Sequence, residues 1–247
     1  MKFIKILLAG LGIRWARNKI LNLLTLQKFS KLGTSWTRLI PQHSLKPSLD
    51  QKNLDLVISF INAALNQDLS DIEKRSSSQQ HLEYLNFWPG EHYKLLRGIS
   101  SVLKPKITVE IGTWVGMSTL ALAKFSEKTI TYDIREWQNF KKSFLVDSDF
   151  SQGIEQRVGN LAENIFFENE RQIFEKADLI FLDAPKDGVF EEKFLRLVLP
   201  VLKPGAILIL DDIKFLNMLK IWENLEHQRI DLTSFGHATG TGIVFIK

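Results

Sequence analysis

The sequence predicts an α/β protein built on a parallel sheet with helices on both faces. From about residue 90 onward, short apolar runs alternate with helical stretches, the pattern of strands joined by crossover helices. Several of these runs are apolar throughout rather than at alternate positions, as expected of strands buried on both sides. The last two runs, residues 230–235 and 242–246, are separated only by Gly236-His-Ala-Thr-Gly240, which predicts a closing antiparallel hairpin.

In chain order, a helix over about residues 90–103 leads across Lys104-Pro-Lys106 to a strand over 107–111. Further strands are expected at 128–133, 155–158, 177–183 and 206–210, with helices starting near Arg135, Ala162, Phe190 and Lys214. Upstream, Leu54, Val57, Ile58, Ile61 and Leu65 recur at helical spacing and predict a helix over about 51–66. Residues 67–80 are polar, with Arg75-Ser-Ser-Ser-Gln-Gln80 predicted as an exposed loop, and 30–50, with Gly33, Pro41 and Pro47, reads as an irregular connector. These readings divide the chain into an N-terminal extension (1–49), a helical lead-in or lid (50–89) and the domain that carries the sheet (90–247).

The 247 residues are 45% hydrophobic and 24% charged, which excludes a mostly disordered or low-complexity protein. There is no cysteine, so disulfides, thiolate zinc sites and cysteine nucleophiles are excluded. The net charge of +4 is unevenly spread. Residues 1–49 carry nine basic side chains and no acidic one, while the remaining 198 carry 23 basic and 28 acidic, a net −5. A body that is mildly acidic argues against nucleic acid as a partner. The apolar stretch beginning at Phe3 is too short to span a bilayer. Residues 1–29 read either as an amphipathic helix lying on anionic lipid or as one packed against protein, and an organellar transit peptide fits as well. The expected location is the cytoplasm, with peripheral membrane contact if the lipid reading holds.

In a parallel sheet, ligands bind beyond the carboxyl ends of the strands. After the first strand comes Glu110-Ile-Gly112-Thr-Trp114-Val-Gly116-Met-Ser118, where glycines permit a tight turn and the following helix presents its N-terminus. The Gly112-x-x-x-Gly116 spacing departs from the dinucleotide fingerprint and disfavours a nicotinamide cofactor. Asp133 ends the second strand, where a carboxylate can accept both hydroxyls of a ribose. Asp183 and Asp211-Asp212 each terminate a very apolar run, so on neighbouring strands they would project into one crevice. Carboxylates converging in this way repel one another unless a cation or proton intervenes, and a hard divalent ion is one resolution. Helix capping by Asp211 and Asp212 is the alternative. His92 and His237 are unassigned, and Trp88, Trp114 and Trp137 line either a pocket or the core.

Taken together, 109–118, Tyr132-Asp133, Val158-Gly-Asn160, Phe181-Leu-Asp183 and 202–212 resemble the class I S-adenosylmethionine-dependent methyltransferases. The likeness is greatest to the catechol and macrocin O-methyltransferase types, over about residues 90–247. The resemblance implies a Rossmann-like seven-stranded sheet with a reversed last strand. It implies S-adenosylmethionine held by Glu110, Gly112, Trp114, Gly116, Ser118, Asp133, Asn160 and Asp183, magnesium held by Asp183, Asp211 and Asp212, and Lys186 as general base. That last role requires a lowered lysine pKa. Asp212 stands where the catechol enzymes carry Asn, and Ala184-Pro185 replaces a bulkier pair that includes an aromatic, so no aromatic wall for a flat catechol is evident. The expected activity is methylation of a hydroxyl on a small molecule, sugar or glycoconjugate. The alternative is a non-catalytic or metal-independent module attached to membrane or partner through the basic helices.

Overall fold

The computed structural model describes residues 49–75, 83–85 and 90–247. The expectations for the basic leader up to residue 48, including the amphipathic stretch 1–29, and for Trp88 lie outside the described residues. Among the described residues no helix is long and apolar enough to cross a membrane.

The first helix, α1 (Gln51–Leu65), is capped by Asp50, whose side chain accepts from the Asn53 amide at 2.9 Å. A short helix, α2 (Ser70–Glu73), forms within the polar stretch before Arg75, and most of the loop expected at 75–80 lies outside the described residues. Its Asp71 pairs at 2.6 Å with Arg97, a guanidinium buried in α3 (His92–Leu103), and Ile72 is buried. Helices α1 and α3 meet at Gly98, where a Cβ would lie 2.6 Å from the Ala64 backbone nitrogen. The lead-in is therefore packed structure, with its apolar face spent on α3.

The sheet follows: β1 (Ile107–Ile111), β2 (Lys128–Asp133), β3 (Ile154–Val158), β4 (Leu179–Leu182), β5 (Ile207–Asp211), β6 (Gln228–Asp231) and β7 (Thr241–Phe245). Its order is β3-β2-β1-β4-β5-β7-β6. The first five strands are mutually parallel, and β7 runs antiparallel to both of its neighbours. This is the expected seven-stranded Rossmann-like sheet with a reversed last strand. The apolar runs explain themselves by alternation: Leu179, Phe181, Ile207 and Ile209 enter the core on one face, and Ile180, Leu182, Leu208 and Leu210 the core on the other. The first face is covered by α1, α3 and α4 (Met117–Ala123). The second is covered by α6 (Asn164–Lys176), α7 (Val189–Val198) and α8 (Met218–Asn224).

One expected helix does not form. Beyond β2 the chain makes only a 3₁₀ turn, Trp137–Asn139, and the short α5 (Asp147–Phe150). Between them Phe144 and Leu145 are buried, and the Phe144 amide bonds to the Val115 carbonyl at 2.8 Å. Packing this segment onto the loop after β1 outweighs its weak helical pattern.

Candidate active site

Strand order reverses between β1 and β4, and the crevice beyond their carboxyl ends is the place where such sheets bind ligands. A cavity of about 630 Å³ opens there. Its lining includes Gly112, Trp114, Asp133, Asp183, Lys186, Asp211 and Asp212, so seven residues expected from sequence converge on one space.

The side formed by β1 and β2 is shaped by backbone. Gly112 has φ +106°, and a Cβ there would lie 1.9 Å from the Asp183 carbonyl oxygen, so only glycine lets the β1 loop pass the end of β4. Asp133 accepts from the Trp114 amide (3.0 Å, Oδ2) and from the Arg135 amide (3.2 Å, Oδ1). A carboxylate has about four acceptor sites, so two bonds orient it and leave others for ligand hydroxyls.

Four expected residues act from outside the lining. Gly116 (φ +85°) admits the Leu145 side chain, 2.3 Å from where a Cβ would stand. Glu110 and Ser118 are buried behind the loop, with Glu110 bonded to the Thr119 hydroxyl. Burial pushes Glu110 up to about 7, and one of its oxygens, Oε1, has no hydrogen-bond partner. Asn160 turns toward its own helix, accepting from the Ala162 amide at 3.0 Å and donating to Glu163 at 3.2 Å, while its neighbours Gly159 and Leu161 line the cavity. Trp137 stacks on Phe150 at 5.3 Å rather than reaching the cavity.

The side formed by β4 and β5 is a charge cluster. Lys186 Nζ hydrogen-bonds Asp183 and lies 3.2 Å from Asp212 Oδ2 and 3.9 Å from Asp211 Oδ2. Burial disfavours its charge, but Asp183, Asp211 and Asp212 together outweigh that and hold its pKa well above the ordinary value. The general-base role expects a pKa lowered by a nearby dication and the sulfonium; in the protein alone, the three carboxylates hold Lys186 as an ammonium. Asp183 is raised by burial and by repulsion from Asp211. The loop is held from behind by buried Glu191, which accepts the amides of Lys186 (2.6 Å) and Gly188 (2.8 Å). Of six described non-glycine residues with positive φ, three, Trp114 (42°), Lys186 (64°) and Asp212 (55°), line this cavity. Concentrated backbone strain of this kind is characteristic of functional sites.

Sequence reasoning left two residues unassigned that belong here. His92, at the start of α3, and His237, in the hairpin loop, line the cavity with ring centroids 4.4 Å apart. Burial and His237 hold His92 well below its ordinary pKa. Burial alone would lower His237, but Asp211, 2.6 Å from its Nε2, leaves it raised. An aromatic wall is also present, contrary to the sequence expectation. Tyr84, Tyr93, Phe140, Phe190 and Phe215, from segments outside the motifs, line the space together with Trp114 of the loop after β1.

A divalent ion has two overlapping donor sets among the described residues, with ligand atoms lying within 4.8 Å of one another: Asp183 with Asp211 and Asp212, and His92 with Asp211 and His237. The all-oxygen set has the hard donors that suit magnesium. Its oxygens also face Lys186.

Residues 109–213, from β1 to the loop after β5, match a family model described as a methyltransferase domain. No curated protein matches the sequence. Among solved structures, the chain is similar to a methyltransferase of Podospora anserina bound to S-adenosylhomocysteine. The two are 14% identical with a TM-score of 0.52, covering 81% of this chain and 98% of that one. It is also similar to the O-methyltransferase TomG of Streptomyces achromogenes, involved in tomaymycin synthesis and in complex with S-adenosylmethionine. Identity there is 16% and the TM-score 0.51, covering 81% of this chain and all of that one (100%). A methyltransferase of Geobacter sulfurreducens matches at 13% identity and a TM-score of 0.51, with 81% and 100% covered. At these identities the likeness is one of fold. The segment 109–213 that matches the methyltransferase-domain model spans β1 to β5 of the Rossmann-like sheet and carries much of the cavity lining, with Tyr84, His92, Tyr93, Phe215, His237 and Thr239 added from outside it.

Proposed function

We propose that this protein is an S-adenosylmethionine-dependent O-methyltransferase acting on a hydroxyl of a small molecule. The observation that carries the reading is the placing of a nucleoside-compatible wall, Gly112 and Asp133, and a charged cluster, Lys186 with Asp183, Asp211 and Asp212, in one cavity. S-adenosylmethionine, when bound, supplies an electrophilic methyl group on a sulfonium. Asp133 would accept from its ribose, and the Gly112 turn would admit its backbone-sized approach. A cavity of about 630 Å³ is within the usual size for such a ligand.

On the other wall, Lys186 would donate to the acceptor oxygen and stabilise the negative charge that grows as the acceptor's proton passes to the Asp183 carboxylate. Magnesium, if held by Asp183, Asp211 and Asp212, would add Lewis-acid stabilisation of the same charge. The aromatic lining favours an acceptor with a flat or apolar portion beside its hydroxyl. The basic leader would then serve to place the enzyme at an anionic membrane surface or on a protein partner.

Calorimetry with S-adenosylmethionine, followed by a methyl-transfer screen over phenols, diols and sugars with and without magnesium, tests this. We expect saturable binding and transfer to at least one hydroxyl class. Absence of S-adenosylmethionine binding to the folded protein would overturn the reading.

A further inference from the structure

We propose that His92, Asp211 and His237 form a site for one divalent transition-metal ion of the zinc or cobalt type, sharing only Asp211 with the all-oxygen cluster. The direction of the hydrogen bonds leads there. The Thr239 hydroxyl has a single proton and donates it to Asp212, a carboxylate that can only accept. Thr239 Oγ1 must therefore accept from His237 Nδ1, 2.7 Å away, which places that ring's proton on Nδ1. The other nitrogen, Nε2, then points its lone pair at Asp211 Oδ1 across 2.6 Å, acceptor against acceptor. Something positive has to lie between them, either a second ring proton or a metal ion.

The surroundings favour the ion. His92 Nδ1 is tied to the Thr241 hydroxyl at 3.1 Å, and its Nε2 faces the same Asp211 oxygen at 3.8 Å. Both histidines thus have the outer nitrogen held by a threonine and the inner one aimed at a shared carboxylate, the arrangement that orients metal-ligating imidazoles. Tetrahedral ligation with bonds of about 2.1 Å separates ligand atoms by roughly 3.4 Å. The observed 2.6 and 3.8 Å bracket that spacing, so small shifts of two rings would complete the site. Charge points the same way. Lys186 is closest to Asp183 and Asp212, leaving Asp211, at 3.9 Å, the member of the cluster that this ammonium neutralises least. All three ligands line the cavity, so the fourth coordination position opens toward the acceptor.

The test uses the full chain, stripped of metal by chelator and titrated with Co²⁺. Visible ligand-field absorption gives the geometry and equilibrium dialysis the stoichiometry. We expect one equivalent per chain in a tetrahedral spectrum, displaced by Zn²⁺ but not by millimolar Mg²⁺. His92→Gln and His237→Gln should each weaken binding by at least tenfold and Thr239→Ala by about tenfold, while Asp183→Asn leaves it within about twofold. If His92→Gln does not fold, the two substitutions in the 236–240 loop carry the test. The inference is overturned by no saturable binding, by binding that survives either histidine substitution, or by displacement with Mg²⁺. S-adenosylmethionine calorimetry on the same preparation separates failure of this site from failure of the proposed activity.

Discussion

The two walls of the cavity are built on different physics. On the β1–β2 side, function rests on where the backbone goes: one glycine with positive φ, and one carboxylate oriented by two amides. On the β4–β5 side, function rests on charge: three carboxylates, one ammonium and two imidazoles within a few bonds' reach. A backbone wall fails sterically when a side chain is added, whereas a charged wall fails electrostatically when one partner is removed. Substitutions on the two walls should therefore fail in different assays.

The largest effect is expected on the charged wall. Lys186→Met should lower methyl-transfer turnover by about 10²–10⁴-fold while the S-adenosylmethionine Kd changes little, read by steady-state kinetics beside calorimetry. Equal loss in both would merge the two walls into one binding unit.

On the backbone wall the clash at Gly112 should dominate. Gly112→Ala places a methyl group 1.9 Å from the Asp183 carbonyl in a left-handed conformation, which should cost about 3 kcal/mol of stability and weaken cofactor binding. Urea unfolding of the purified variant measures the first and calorimetry the second. An unchanged midpoint would mean that the loop moves aside freely.

The smallest effect lies behind the backbone wall, at Glu110. Its buried carboxyl is neutral below its ordinary value of 4.5, and the folded state must carry a buried charge as the pH rises through about 7. The wild-type protein should therefore be stabilised by this group at low pH and lose that contribution between about pH 4.5 and 7. Glu110→Gln should flatten that part of the curve of Tm against pH, by a few degrees at most. Parallel curves for the two proteins would contradict the raised pKa.

Much of this site was legible in the sequence for a definite reason. A parallel strand buried on both faces is an apolar run, so a carboxylate that ends it stands out, as Asp133, Asp183 and Asp211 do. Gly112 was legible because only glycine tolerates its backbone, and the chain order of these features follows the fold. Gly116 and Asn160 were legible from their motifs, yet Gly116 makes room for Leu145 and Asn160 accepts from the Ala162 amide, contacts that spacing alone does not distinguish from ligand contact. The helix expected to start near Arg135 does not form, because a short apolar pattern says nothing of the loop it will be pulled onto. Its buried Phe144 is bound to Val115, across the loop after β1.

Sequence by itself thus determined the strand pattern, the reversal at the final hairpin, the glycine turn and the strand-end carboxylates. These depend on local periodicity and on residues whose chemistry has few other uses. Tertiary structure alone decided which charges meet. Lys186 became an ammonium because three separate carboxylates surround it, outweighing its burial. His92 and His237, far apart in the chain, came together because β7 pairs with β5 and brings the hairpin loop over the start of α3. Electrostatic partnership depends on distances of a few ångströms between remote segments, and no run of neighbouring residues encodes those distances.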